Sequence, residues 1–338
     1  MRRLTLILSD LYLPEEAAAD ATVPLELPHL EGLLRFAQVT RIADWRRSLA
    51  ADLGRPDLAA LSAAALAAYE LPPPISSDAV WLATPVRLEA RLDHVRLLER
   101  GLPRLAADER AKWRAEFARA FAPHALHDAG ARGFLLTGLA PAAVTTTDPA
   151  RLLDVDIGRA LPSGQPAREL RRLASEIEMW MHGSASNVAR ERAGLPRLSA
   201  LWLWGGGGAA SVPPSSPQAA ASSLHFCGDD PAFLGLARAT TGAPAADMPE
   251  SFHALNSASD RALVEVTPIN GTARESLQAL DAAWFAAARA ALNRGALDTL
   301  DIVANDRWFR IAARPGWRIW RRRRSWLSQL KQTARAKA

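Results

Sequence analysis

Cysteine is nearly absent from this 338-residue chain: Cys227 stands alone. No internal disulfide and no cysteine-built zinc site can form, so any metal would need Asp, Glu or His ligands. Apolar runs of 18 or more residues are also missing, which leaves no segment with the pattern of a membrane-spanning helix. The N-terminal apolar run Leu4 to Leu8 is cut at Asp10, short of a secretory core of about 7–15 residues, and the chain is expected to be cytoplasmic. From residue 307 onward Asp and Glu disappear altogether. That stretch carries a charge of +11 against +5 for the whole chain, so the remainder carries −6. A mildly acidic body ending in a basic arm reads as an electrostatic docking surface rather than as a property of the fold.

What is present is ordinary for a globular protein: 49% hydrophobic and 23% charged residues exclude disorder, coiled coil and collagen. At about 100–200 residues per domain, the length allows one large domain or two modest ones. Leu4 to Leu8 reads as a buried strand that ends in a carboxylate. Residues 45–70 read as two helices interrupted at Gly54-Arg55-Pro56, and Pro72-Pro73-Pro74 forces a break. Strands are expected at Val80 to Leu82 and Val95 to Leu98. A helix from Asp108 to Ala122 follows, with Trp113, Phe117 and Phe121 on one stripe. Arg168 to Met181 is the clearest amphipathic helix, with Leu170, Leu173, Ile177 and Trp180 inward and His182-Gly183 at its end. A strand from Leu198 to Trp204 empties into Gly205 to Gly208. Residues 209–223 read as a long loop or lid. Glu275 to Leu292 reads as a helix and Leu300 to Val303 as a strand. A hairpin is expected from Trp308–Ile311 and Trp317–Trp320 around Arg314-Pro315-Gly316. Strands alternating with helices point to an α/β fold on a largely parallel central sheet flanked by helices.

Few groupings carry chemistry. Gly205 and Gly206 follow a strand, where phosphate-cradling loops occur, but neither GxxxxGK[ST] nor GxGxxG fits, and a turn is the favoured reading. Asp10 lies at the C-terminal end of the first strand, where open parallel sheets place ligands. Asp229-Asp230 is read as a helix start, with Asp230 capping a helix that begins at Pro231. Of the seven histidines, only His124 and His127 are close in sequence, without an HExxH frame. His182 at a helix C-terminus answers the helix dipole. Tryptophans interleave with arginines over 308–326, and Arg321, Arg322, Arg323 and Arg324 form a solvated surface for an acidic protein or a nucleic acid. There is no GxSxG elbow and no Cys-His frame, so a nucleophilic hydrolase is not supported.

The segment EIEMWMHGSASNVARERAGLPRLSALWLWGGG, from Glu176 to Gly207, resembles archaeal-type cofactor-independent phosphoglycerate mutases, in which His-Pro-x-Asn, an Arg, Gly-x-Pro and a glycine-ended strand follow a helix. It is closer still to the bacterial mutase-like regulatory proteins of the RpfE type. WLATPVRLEARLDHVRL (81–97), ALPSGQPARELRRL (160–173), Leu280-Asp281 with Trp284, and Trp320-Arg321-Arg322 add to it. The resemblance implies an alkaline-phosphatase-like fold. Carried over by position, Asp10 matches the first metal-binding Asp, His182 and Asn187 the His and Asn of the motif, and Arg190 the following Arg. These side chains, with Gly205 and Gly206, form the expected ligand-binding set.

The family's catalytic parts are missing at the matching places. A mutase needs a Ser or Thr nucleophile and several His and Asp ligands for two metal ions. This chain has no Asp-Gly after the first strand and no Asp-Glu-Ala-Gly-His. It reads DIVANDRW at 301–308 in place of a late Asp-His-Ser, His182-Gly183 for His-Pro, and Ala83-Thr84-Pro85 for Ala-Asp-Pro. The expectation is therefore a catalytically degenerate mutase-like domain over 1–312, followed by a basic Trp/Arg-rich segment over 313–338. No catalytic residue, metal or cofactor is expected. The expected partners are a phosphorylated small molecule and, at the tail, an acidic protein or nucleic acid. The alternatives are an active metal-dependent phosphoryl-transfer enzyme and a nucleic-acid-binding protein using the arm.

Overall fold

The computed structural model describes residues 1–12, 25–71, 79–97, 102–153, 155–207, 223–255, 259–267, 273–313, 322 and 324–331. In chain order its strands are β1 (Arg3–Leu8), β2 (Gln38–Arg41), β3 (Ala79–Val86), β4 (Leu88–Ala90), β5 (Val95–Leu97), β6 (Ala125–Asp128), β7 (Phe134–Leu139), β8 (Ala200–Trp204), β9 (Leu224–Cys227), β10 (Arg261–Val266), β11 (Thr299–Ala304) and β12 (Arg307–Ala312). They belong to two compact units interleaved in sequence. The first comprises Met1–Leu49, Gln218–Gly228 and Ala245–Ala338, and the second Ala50–Pro217 and Asp229–Pro244. The segment beyond residue 312, read from sequence as an arm, falls in the first unit.

The first unit is a mixed α/β layer with a central sheet of order β2-β12-β11-β1-β10-β9. Four strands, β9, β10, β1 and β11, run parallel, and β12 and β2 are antiparallel at one edge. β1 lies between β10 and β11 because LTLIL is apolar on both faces, the pattern of an interior parallel strand. Leu4, Leu6 and Leu8 join Val264, Ile302 and Phe309 in a core shared with Leu30, Trp284, Phe285 and Leu292 of helices. A π-turn at Asp281–Phe285 interrupts the helical run expected at 275–292. Its buried Asp281 accepts hydrogen bonds from the amides of His29 (3.2 Å) and Leu30 (2.7 Å) and so holds the start of the helix Pro28–Leu34, which has no side-chain cap of its own.

Asn305 and Asp306, at φ 47° and 59°, turn β11 directly into β12. A two-residue turn with both residues left-handed suits the twist of a hairpin, and Asn and Asp tolerate that conformation. The described hairpin is thus β11–β12, and β2 occupies the other edge of Arg307–Arg310. The expected partner strand at 317–320, its turn at 314–316, and Arg321 and Arg323 lie outside the described residues.

In the second unit the sheet, of order β6-β7-β3-β8, is antiparallel throughout. This departs from a single parallel sheet for a local reason. Only residues 129–133, with Gly130 and Gly133 at positive φ, join β6 to β7, too few for the crossover that parallel neighbours require. β3 is buried along its whole length. One face packs Trp81, Phe134 and Leu203 against the helices Ala107–Phe121 and Arg168–Gly183 through Trp113, Phe117, Leu170, Leu173, Ile177 and Met181. The expected Trp180 is only half-buried. It meets Trp113, Phe117 and Phe121 edge-on, with ring centroids 5.4–5.8 Å apart. Among the described residues, no helix is long and apolar enough to cross a membrane.

Candidate functional site

The C-terminal ends of β1 and β10 converge because the two strands run parallel with Leu8 beside Val266. Ser9 and Thr267 each continue one of these strands by a residue, and both hydroxyls donate to Glu265 Oε1. The Ser9 bond is very short and the Thr267 bond measures 3.0 Å. Ser9 Oγ also lies 3.4 Å from Asp10 Oδ1. Glu265 is 1% exposed, and two hydroxyl donors compensate part of the cost of burying a carboxylate. This hydroxyl–carboxylate cluster stands where open α/β sheets bind ligands. Sequence reasoning found Asp10 and missed the other three. The signal was one acidic residue inside the apolar run Ala262 to Val266, directly before a threonine.

A second carboxylate of this sheet is Asp301, wholly buried in β11. Arg3 approaches Oδ2 at 2.6 and 2.7 Å, while Arg310 Nε (2.8 Å) and the Trp308 indole N–H (2.9 Å) donate to Oδ1. Two guanidiniums and an indole engage both oxygens, so Asp301 is an internal brace.

The other expected ligand-binding residues belong to the second unit. Asn187 is fully buried. Its amide donates to the carbonyls of Met181 (2.7 Å) and Leu198 (2.9 Å), and its Oδ1 accepts the Leu198 N–H (2.8 Å). Arg190 donates to the Pro196 carbonyl (2.9 Å) and makes a very short bond to Glu109. The fold itself engages both side chains, which fasten the loop before β8 to the helix Ala185–Arg192. His182 is exposed at the helix end, and its carbonyl accepts from Arg197.

Gly205 and Gly206 stand at the far end of β8. Five residues at about 3.3 Å each put roughly 17 Å between the two groups, so they do not surround one small ligand. Gly205 (φ +66°) donates its amide to Thr146 Oγ1 (2.9 Å) and offers its carbonyl to the Ala64 N–H (2.8 Å). A Cβ on Gly206 would sit 1.8 Å from the Val80 carbonyl oxygen. The glycines permit close backbone packing, the turn favoured from sequence. Of the loop read over 209–223, only Ser223 is described.

Asp230 caps the helix Pro231–Thr241 as expected, accepting the Phe233 N–H at 3.0 Å. Its neighbour Asp229 forms an ion-pair cluster that the sequence did not reveal, with Arg104 at 2.6 Å and Arg132 at 2.8 Å. Burial alone would raise the Asp229 pKa, but the guanidiniums of Arg132 and Arg104 outweigh it and hold the carboxyl well below the usual carboxylate range. A depressed folded-state pKa gives stability that is present above the unfolded value, about 3.9, and is lost as pH falls below it. Urea melts of wild type and Asp229→Asn should therefore differ most near neutral pH, and the gap should narrow progressively as pH falls below about 4. A gap independent of pH would contradict this. Burial pushes the Cys227 thiol up to about 11, which makes it a packing residue rather than a nucleophile.

Among the described residues, no three His, Cys, Asp or Glu side chains stand close enough to hold a metal ion. The bimetal centre implied by the mutase resemblance therefore does not fit these residues.

No protein-family model matches the chain, and no curated protein matches it. Among solved structures it is similar to the cofactor-independent phosphoglycerate mutase from Thermoplasma acidophilum DSM 1728, at 15% identity and a TM-score of 0.40, over 92% of this chain and 89% of that one.

Proposed function

We propose that this protein is a catalytically degenerate, alkaline-phosphatase-like relative of the cofactor-independent phosphoglycerate mutases. In this reading it is a regulatory protein of the RpfE type that acts by binding a phosphorylated metabolite or a macromolecular partner. The supporting observation is how the sheet's acidic groups are engaged. Asp301, which opens the stretch where mutases carry a late Asp-His-Ser, is fully buried between Arg3 and Arg310, and Asn305-Asp306 forms a hairpin turn. Glu265 is covered by Ser9 and Thr267. A carboxylate neutralised by guanidiniums is a poor ligand for a metal ion, and phosphoryl transfer by this family needs two such ions. Of the ligand-binding set, Asp10 has a side chain that reaches solvent beside the strand ends of the first unit's sheet, and the proposal rests its ligand contact first on this residue. Asn187, Arg190, Gly205 and Gly206 support the backbone around β8.

Calorimetric titration with 3-phosphoglycerate, with and without Mn²⁺, joined to an assay for 2-phosphoglycerate, tests this reading. The expected result is saturable binding weakened by Asp10→Ala, with no product under either condition. Metal-dependent turnover abolished by Asp10→Ala would replace the proposal with an active phosphoryl-transfer enzyme.

A further inference from the structure

We infer that the arginines immediately before the C-terminal helix bind the phosphate backbone of a nucleic acid without reading its sequence. This goes beyond the function proposed above and uses none of its residues. The helix Trp326–Lys331 is docked in the first unit, with Trp326 and Leu330 buried. The Trp326 amide donates to Glu31 Oε1 (3.2 Å) and its indole to the Leu25 carbonyl (2.8 Å), while Asn305 Nδ2 donates to the Leu330 carbonyl (3.1 Å). Gln329 Nε2 donates to the Arg324 carbonyl at 2.8 Å, which ties the preceding backbone to the helix. Arg322 and Arg324 are exposed, and among the described residues neither guanidinium meets a carboxylate. The Arg324 guanidinium, a fork suited to phosphate oxygens, is therefore carried on a backbone tied to the docked helix, and Arg322 offers a second exposed fork two residues earlier.

The surroundings select the partner. Trp308 and Trp326 are buried with their indole N–H groups engaged, so neither offers a face on which a base could stack. Among the described tryptophans near these arginines in sequence none is available for stacking, which leaves charge for recognition. A protein partner would need an apolar centre. The exposed large apolar side chains among the described residues, Leu92, Val95, Leu161, Met179 and Leu195, all belong to the second unit. The buried Trp326 and Leu330 give the helix no exposed apolar face for a membrane surface. A phosphodiester backbone needs neither stacking nor apolar contact, and the +11 charge of 307–338 fits it.

Binding of the full chain to a duplex of about 20 bp, followed by fluorescence anisotropy against salt from about 50 to 200 mM, tests the inference. R322Q/R324Q is expected to flatten the slope of log K against log salt by about 2, at about 0.9 for each phosphate no longer neutralised. R168Q/R192Q, an equal charge change on exposed arginines of the second unit, should leave the slope unchanged. Unaltered urea midpoints establish that both variants are folded. Failure of wild type to bind at about 50 mM salt, equal weakening in both variants, or undiminished binding by R322Q/R324Q would each overturn the inference. Displacement of the duplex by polyglutamate at lower charge concentration than by a single-stranded polynucleotide would overturn it in favour of an acidic protein. Deleting 321–338 would not serve, because it also removes Trp326 and Leu330 from the core.

Discussion

Replacing Asp301 by Asn is expected to cost about 3 kcal/mol of stability, read as a lower urea midpoint with an unchanged slope. The carboxylate is wholly buried, and removing its charge leaves Arg3 and Arg310 facing an amide whose N–H₂ repels one of them. Breaking one partner of a buried ion pair typically costs about 3–5 kcal/mol. The lower end applies here because the Arg3 and Arg310 side chains are 25% and 44% exposed and can turn toward water. The strands should respond together, since Arg3 lies on β1, Asp301 on β11 and Arg310 on β12. Arg310→Gln alone should cost less than Asp301→Asn, because Arg3 still neutralises the carboxylate. Equal destabilisation would mean that Asp301 is held mainly by packing.

Asn187→Leu should be comparably severe. The side chain satisfies three backbone groups, the carbonyls of Met181 and Leu198 and the amide of Leu198, at a site with no exposure. Each buried group left unsatisfied costs about 1–3 kcal/mol, so a destabilisation of about 3 kcal/mol or more is expected. Leucine shares the branching of asparagine and leaves no cavity, but its bulkier methyls add overpacking to the polar loss at this fully buried site. Asn187→Asp should not rescue, because a carboxylate presents no donor to the two carbonyls. Hydrogen exchange at the Leu198 amide provides a local readout. It should accelerate strongly in Asn187→Leu, and an unchanged rate would show that the loop before β8 is held by other contacts.

Much of the fold was legible where periodicity is strong. LTLIL read as a buried strand and lies within β1, and the spacing of Leu170, Leu173 and Ile177 marked the buried stripe of the helix Arg168–Gly183. Asp230-Pro231 gave the cap of its helix. Long-range arrangement was not legible. Ser9 and Glu265 meet only because β1 and β10 are parallel neighbours, and Asp229 finds Arg104 and Arg132 only after folding. No local pattern encodes such pairs. Asn305-Asp306 carries a hairpin-turn signal between two β-prone runs, whereas the hairpin expected from sequence lies around Arg314-Pro315-Gly316. The resemblance likewise assigned Asn187 a ligand, whereas its burial among backbone partners gives it a task in holding the chain.

The interleaving of the two units bears on how the protein is made. β1 emerges from the ribosome first, but its parallel neighbours β10 and β11 begin at Arg261 and Thr299. The second unit's antiparallel strands all fall between Ala79 and Trp204, and their pairing can begin while the first unit still lacks its centre. Such distant pairing slows folding, because a long loop must close before any contact rewards it. Until Arg261–Val266 and Thr299–Ala304 have been made, the apolar strand Arg3–Leu8 lacks both of its neighbours. The nascent chain is expected to depend on a holding chaperone through that interval.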